Sequence, residues 1–252
     1  MKKLLTLAAL VFSLGLCAQS IDSPDKISTY QGDITIQPIT HGSVVLKWED
    51  QVIYVDPYGG GDLYKGIEAP TYILITDIHG DHMNPSTLEA INTSKAQLVV
   101  PQAVKDQLPD ELAAKAKVLS NGSDMRAAGF NIAAIPMYNL PESEKAMHTK
   151  GRGNGYVITM GGKRLYFSGD TADIPEMRSL NNIDVAFVCM NLPYTMDINQ
   201  AASAVLEFKP IIVYPYHYRG TGGLSDVDGF KDLVNEENPN IEVRLKNWYP
   251  GN

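Results

Sequence analysis

Cysteine is scarce in this chain: of 252 residues only Cys17 and Cys189 carry a thiol, and loss of an N-terminal leader would leave Cys189 alone. No internal disulfide could then form, even in an oxidising compartment, so stability must come from the core. Long hydrophobic runs are lacking as well. The apolar stretch 4–16 falls short of the roughly 18–20 residues that a spanning helix needs, so no transmembrane segment is expected. Positive charge is in deficit, with 21 Lys and Arg against 29 Asp and Glu and a formal net charge of -8. A polyphosphate partner demands a basic face, which disfavours nucleic-acid binding. Absent too are a Gly-x-Ser-x-Gly nucleophile elbow and a nucleotide fingerprint, since Gly59-Gly60-Gly61 has neither the spacing nor a lysine.

What is present begins with a targeting pattern. Lys2 and Lys3 precede the apolar stretch, and Ala18, Gln19 and Ser20 follow it, as in a secretory leader cleaved near residue 18. Residues 1–18 are therefore expected to be a signal peptide and 19–252 a single exported domain, periplasmic or extracellular. A lipid-modified Cys17 is the rival reading, which Leu16 disfavours because a small residue belongs at that position. The 44% apolar content suffices for one sizeable core.

After a polar segment to about Gly32, β-branched runs at 34–39, 43–48 and 52–55 predict three consecutive strands, with Glu49-Asp50 as a tight turn. The apolar run 72–75 leads into a loop, and 85–91 reads as a short helix. Brief strands and helices then alternate, with a strand at 98–100, helices at 102–107 and 109–116, and a strand at 130–136. Strands at 155–160 and 164–167 flank Gly161-Gly162, a strong hairpin signal. Helical spacing at 174–180, 198–208 and 227–235 surrounds buried-strand runs at 185–188 and 211–214. Strand-rich halves each finished by helices predict two sheets packed face to face with helices outside.

Only five histidines occur: His41, His79, His82, His148 and His217. His79 and His82 share the stretch Asp77-Ile78-His79-Gly80-Asp81-His82 with two carboxylates, directly after an apolar strand. Carboxylates crowded on one turn repel one another unless a cation neutralises them, so the cluster points to a metal site. For Asp81 alone, capping of the helix near Pro85 is the competing role. His41, at a strand start, reads either as a structural hydrogen bonder or as a site residue. In the stretch from His148 to Gly155, flexible glycines accompany Lys150 and Arg152, which read either as anion contacts or as solvated charges of a surface loop. Arg219 has the same two readings. Cys189 ends an apolar run, where an inert buried thiol is expected.

The segment Thr76-Asp77-Ile78-His79-Gly80-Asp81-His82 resembles the Thr-His-x-His-x-Asp-His signature of metallo-β-lactamase fold hydrolases, with Asp77 at the place of the first His. Val55-Asp56-Pro57, Ser168-Gly169-Asp170-Thr171 and Tyr214-Pro215-Tyr216-His217 resemble further family motifs in the family's order. The resemblance runs from about Gly32 to the end of the chain. Within the superfamily it is nearest to the ascorbate-6-phosphate lactonase-like branch, through His41-Gly42-Ser43, His148-Thr149-Lys150-Gly151, Arg164-Leu165-Tyr166 and Tyr194-Thr195-Met196-Asp197.

This resemblance implies a four-layer αββα sandwich of α/β class. It implies one or two divalent ions, with Asp81, His82 and His217 holding one and Asp170 bridging to a second at Asp77 and His79. The family's usual His after the middle strand is missing from Met137-Tyr138-Asn139, so Asn139 or His148 is expected to complete the second position. A single ion held by Asp81, His82, Asp170 and His217 is the other arrangement. Asp81 and Asp170 take the catalytic role, and Asp56 is expected to orient the metal-binding loop through hydrogen bonds. Carboxylate in place of imidazole hardens the site, so Mn²⁺ gains relative to Zn²⁺, with Fe²⁺ also open.

The implied activity is hydrolysis of an ester, lactone, amide or phosphodiester in a small-molecule substrate by a metal-activated water, with Lys150, Arg152 and Arg219 as contacts for an anionic group. The alternative, motivated by the missing histidines, is a non-catalytic metal- or ligand-binding protein of the envelope. A β-lactamase proper is disfavoured, and a homo-oligomer stays open.

Overall fold

In a computed structural model, residues 22–249 are described; the leader and Cys17 lie outside them. Strands β1 (Asp25–Thr29), β2 (Gly32–Thr40), β3 (Ser43–Trp48) and β4 (Gln51–Val55) pair antiparallel in sequence order. Trp48 faces Gln51 across the expected Glu49-Asp50 turn, and Glu49 takes the left-handed conformation that so short a connection requires. Strands β5 (Tyr72–Leu74), β6 (Gln97–Val100) and β7 (Ala116–Val118) extend the sheet in parallel, giving seven strands among the described residues.

The second sheet also has seven strands there. β8 (Asp124–Arg126), β9 (Asn131–Met137), β10 (Gly153–Met160) and β11 (Lys163–Phe167) run antiparallel, with β10 and β11 joined through Gly161 and Gly162, both at positive φ. β12 (Val185–Cys189) and β13 (Ile212–Tyr216) follow in parallel. A small hairpin, β14 (Arg219–Gly220) with β15 (Gly223–Leu224), stands apart, and the edge strand β16 (Glu242–Val243) completes the second sheet.

Alternation along the first sheet separates two cores, because successive side chains point to opposite faces. Val44, Leu46, Ile53, Val55 and Leu74 face inward and join Phe167, Phe187 and Tyr214 of the second sheet in one buried cluster. Val45, Val52, Tyr54, Ile73 and Ile75 face outward and are covered by Leu88 of α1 (Pro85–Ala90), Val104 of α2 (Gln102–Lys105) and Leu112 of α3 (Asp110–Ala113). On the other side, α4 (Pro175–Arg178), α5 (Ile198–Phe208) and α6 (Val227–Glu237) bury Met177, Val205 and Phe230 against the second sheet. The αββα order expected from the sequence is therefore the observed one.

Two sequence expectations need correction. The supposed polar segment before Gly32 contains β1, an edge strand whose Ile27 is buried; a single inward apolar residue left no alternation to read. The helix expected over 109–116 ends at Ala113, because Ala116 pairs with Leu98 and leaves the chain extended.

A tight approach between β10 and its neighbours seats the motif loop. Asn154 N donates to Thr76 O at 2.9 Å, and a Cβ on Gly155 would lie 2.9 Å from the carbonyl oxygens of both Phe167 and Ser168. Those are backbone atoms of the sheet and cannot swing away. Gly155→Ala is accordingly expected to lower stability by about 1–3 kcal/mol. A denaturation midpoint indistinguishable from wild type would show that β11 yields freely.

Candidate metal centre

Strand direction decides where the polar residues meet. β4 and β5 are parallel neighbours, as are β11, β12 and β13, so their C-terminal ends open at common edges. Asp56 follows β4, the segment 76–82 follows β5, Ser168-Gly169-Asp170 follows β11, Asn191 follows β12 and His217 follows β13. Loops beyond the carboxyl ends of parallel strands are where α/β folds collect functional groups. Local backbone strain gathers there too: His41, Asp56 and His217 have φ of 50°, 43° and 47°. Non-glycine residues hold that conformation only where the surroundings enforce it.

Asp56 is the organiser. Its side chain is fully buried, accepts from Thr76 N at 2.7 Å and Thr76 Oγ1 at 2.6 Å, and sits 2.8 Å from His82 Nδ1. His82 must therefore present Nε2 to the centre. There His82 Nε2 lies 3.2 Å from His217 Nε2 and 3.4 Å from Asp170 Oδ2. His217 Nε2 stands 3.4 Å from Asp170 Oδ1 and 3.2 Å from Asp81 Oδ2.

On the other side of Asp170, His148 Nε2 is 3.3 Å from Oδ2 but is not aligned with it as a hydrogen bond. His148 Nε2 and Asp170 Oδ1 thus remain buried without a hydrogen-bonding partner. Such orphans are costly, and imidazole nitrogens converging on a carboxylate have the donor set of a transition-metal site. Two groups, His82-Asp170-His217 and Asp77-His79-His148, each bring three ligand atoms within 4.8 Å of one another. These residues fit a divalent ion.

The electrostatics agree. Burial alone would raise the Asp170 carboxyl, yet the flanking His217 and His82 hold it well below its ordinary value. Burial opposes protonation of His82, but the charges of Asp170 and Asp56 outweigh it and push the imidazole upward. Asp81 is likewise lowered despite burial, by His217 and His82, and Asp77 falls to about 2 through His79, His82 and Arg152. Burial and the neighbouring His217 lower His41 to about 4.

The remaining candidates divide sharply. Asn139 stays out of the cluster; its Oδ1 accepts from His148 N at 2.8 Å and its Nδ2 donates to Tyr194 O, so it docks the loop that delivers His148. Lys150 sits over the Tyr138 ring and pairs with Glu142 and Glu176. Arg152 grips Asp77, and Arg219 lies over the Tyr249 ring. None of these three cations lines the cavity beside the centre. His41 borders the group through Asp81 and His217, with Nδ1 2.8 Å from Tyr249 Oη. Cys189 is buried with its thiol pushed up to about 11, as expected of an inert group. Sequence reasoning missed Met147 and Asn191, which line a cavity of about 310 Å³ with His79, Asp81, His148, Asp170 and Tyr194. The position of Asn191 just beyond a buried strand was the available signal.

A family model described as the Beta-lactamase superfamily domain matches residues 35–217. The chain belongs to the metallo-β-lactamase superfamily. It is 28% identical over 214 residues to a UPF0173 metal-dependent hydrolase of Pyrococcus abyssi, covering 81% of this chain and 93% of that one. A crystal structure of a candidate metal-dependent hydrolase from Parabacteroides distasonis is 36% identical, with a TM-score of 0.80, 90% of this chain covered and 99% of that one. The Ignicoccus hospitalis metallo hydrolase Igni18 shares the fold at 24% identity and a TM-score of 0.71, covering 87% and 96%. The protein is a metal-dependent hydrolase of this superfamily. Among the described residues, no helix is long and apolar enough to cross a membrane.

Proposed function

We propose that the hydrolase cleaves an ester, lactone, amide or phosphodiester bond in a small-molecule substrate bound in the cavity beside Asp170. The observation that carries this reading is the convergence of His82 Nε2, His217 Nε2 and both Asp170 oxygens within 3.2–3.4 Å of one another's partners, beside orphaned His148 Nε2. His82, His217, Asp170 and Asp81 would hold a divalent ion, with the Asp77-His79-His148 group adjoining. When bound, such an ion polarises the scissile group and makes water a stronger nucleophile.

The protein's own groups supply the rest. Asp56 fixes the ring of His82 so that the opposite nitrogen faces the centre. Asp81 is half-buried, ionised at neutral pH and open to the cavity, so it can accept a proton from an attacking water. Asn191 lines the cavity and its Oδ1 accepts from Thr195 Oγ1, so its amide nitrogen is the end left to donate to a substrate oxygen. Manganese, zinc and iron all suit the mixed carboxylate and imidazole set. Export through residues 1–18 forms part of the proposal; sequencing of the N-terminus of envelope-fraction protein is expected to begin near residue 19.

The test is a panel of chromogenic esters, lactones, amides and bis-phosphodiesters with Mn²⁺, Zn²⁺ or Fe²⁺. Turnover is expected on at least one class and absent from an Asp81→Ala/His82→Ala double variant. Turnover surviving that double variant would sink the mechanism.

Proton linkage gives a separate prediction. Without an ion, Asp170 and Asp56 keep a proton on His82, and ion binding must displace it. Metal affinity is therefore expected to rise about tenfold per pH unit for each proton displaced, through the neutral range. The metal-free protein should trend oppositely. A raised imidazole contributes stability that is fully present below its ordinary value of 6.5 and lost as pH climbs through the raised one. Chelator-competition titrations and thermal melts from pH 6 to 8 read both; a pH-independent affinity would contradict the linkage.

A further inference from the structure

The metal-centre reading leaves one group unexplained: a guanidinium embedded where a second cation would be sought. We propose that Arg152 supplies by its own fixed charge what a second ion would otherwise supply, so that this centre holds a single ion at His82, Asp170 and His217.

The Asp77 side chain is wholly buried, and both its oxygens are taken. Arg152 Nε donates to Oδ1 at 3.1 Å and Nη2 to Oδ2 at 3.0 Å, the two-pronged geometry in which a guanidinium matches a carboxylate. Oδ2 also lies 2.6 Å from His79 Nδ1, which places a proton rather than a lone pair on that nitrogen. His148 Nε2 is 3.9 Å from Oδ2, outside hydrogen-bonding reach, and lies nearer to Asp170. Asp77, His79 and His148 thus have the spacing of an ion site, but its carboxylate is already neutralised.

An arginine side chain does not lose its proton in a protein, so the charge is permanent. A dication between Asp77 and His148 would stand within a few ångströms of it, with little water to screen the repulsion. The pairing is built into the backbone. Gly153 follows Arg152, and a Cβ there would come within 2.8 Å of Thr76 O and 2.5 Å of Met137 Cε, so only glycine lets the chain pass beneath the motif loop. Asn154 N then locks the crossing by its bond to Thr76 O. Arg152 is a positioning residue: it holds Asp77 and balances a centre rich in carboxylates.

The test counts and locates ions in the purified holoprotein after equilibration with excess Mn²⁺ or Zn²⁺ and desalting, by elemental analysis and anomalous scattering from crystals. Wild type is expected to hold one equivalent, with its peak beside His82, Asp170 and His217. Arg152→Gln, which removes the charge, is expected to rise to two, the new peak beside Asp77, His79 and His148. Arg152→Lys, which keeps the charge, is expected to stay at one. Two equivalents in wild type with a peak at Asp77, or a single equivalent in folded Arg152→Gln, would overturn the proposal. If Arg152→Gln does not fold, the wild-type count and map decide alone. No ion in any variant would overturn the metal-centre reading itself, and this inference with it.

Discussion

Asp170→Asn is expected to cost the protein bound metal and nearly all of its turnover. The carboxylate is buried, lies within 3.4 Å of nitrogens of His82, His148 and His217, and so adjoins both candidate ligand groups. Asparagine keeps the shape and removes the charge. Removing one partner of a buried charged set costs about 3–5 kcal/mol. Applied to the loaded site, that is about 10²- to 10⁴-fold in rate or affinity. Elemental analysis alongside initial rates on the best substrate of the panel measures both. Full metal content at wild-type rate would remove Asp170 from the centre. Asp81 offers the contrast: it is partly exposed and touches His217 but not His148, so Asp81→Asn should depress the rate more than the metal content.

Asp56→Asn is expected to weaken metal affinity by about 10- to 100-fold without touching any group that faces the cavity. The loss follows from the chain of bonds behind His82. Asp56 Oδ2 holds both Thr76 Oγ1 and His82 Nδ1, while Oδ1 holds Thr76 N at the entrance to the motif. An amide has a single acceptor oxygen, so either Thr76 N or the pair at Oδ2 is left facing an NH2 group, and the bonds that fix the His82 ring are weakened. Chelator competition on folded protein reads the effect, with circular dichroism to confirm that the fold persists. An unchanged affinity would mean that packing alone orients His82. Thr76→Val is expected to follow in the same direction with a smaller loss, because it removes the hydroxyl that meets both Asp56 Oδ2 and His82 Nδ1 but leaves the direct contact of Asp56 with the imidazole.

Much of this architecture was legible along the chain, and for local reasons. The runs from 34 to 55 alternate where one face is only half-buried, as at Thr35 and Gln37, and stay apolar where both faces are covered, as from Val52 to Val55, and turns at Glu49-Asp50 and Gly161-Gly162 carry the residues that such short connections demand. The two eleven-residue helices α5 and α6 are legible from their periodicity. β1 escaped notice because one buried Ile27 makes no pattern, and β8 because Met125 alone faces the core. The motif at 77–82 was conspicuous since its groups sit within one turn of chain. The absence of the expected histidine after Met137 looked like degeneration and motivated a non-catalytic reading. The structure instead brings His148 to Asp170 across the Asn139 clamp, and the family relationship makes the chain a hydrolase.

The cations show the limit most clearly. Lys150, Arg152 and Arg219 looked equivalent as anion contacts, yet each is occupied by a different partner: two glutamates, Asp77, and the face of Tyr249. Sequence by itself determined the sheet-forming runs, the ligand-rich loop and the overall acidity, because hydrophobic period and turn chemistry act between residues a few positions apart. Only tertiary structure decided that Arg152 meets Asp77 across 75 positions, that His217 meets His82 across 135, and which side chains are left facing the cavity. Those pairings depend on strand order and on backbone approaches such as that of Gly153 to Thr76. They arise from the closing of two sheets, and no local stretch of the chain encodes them.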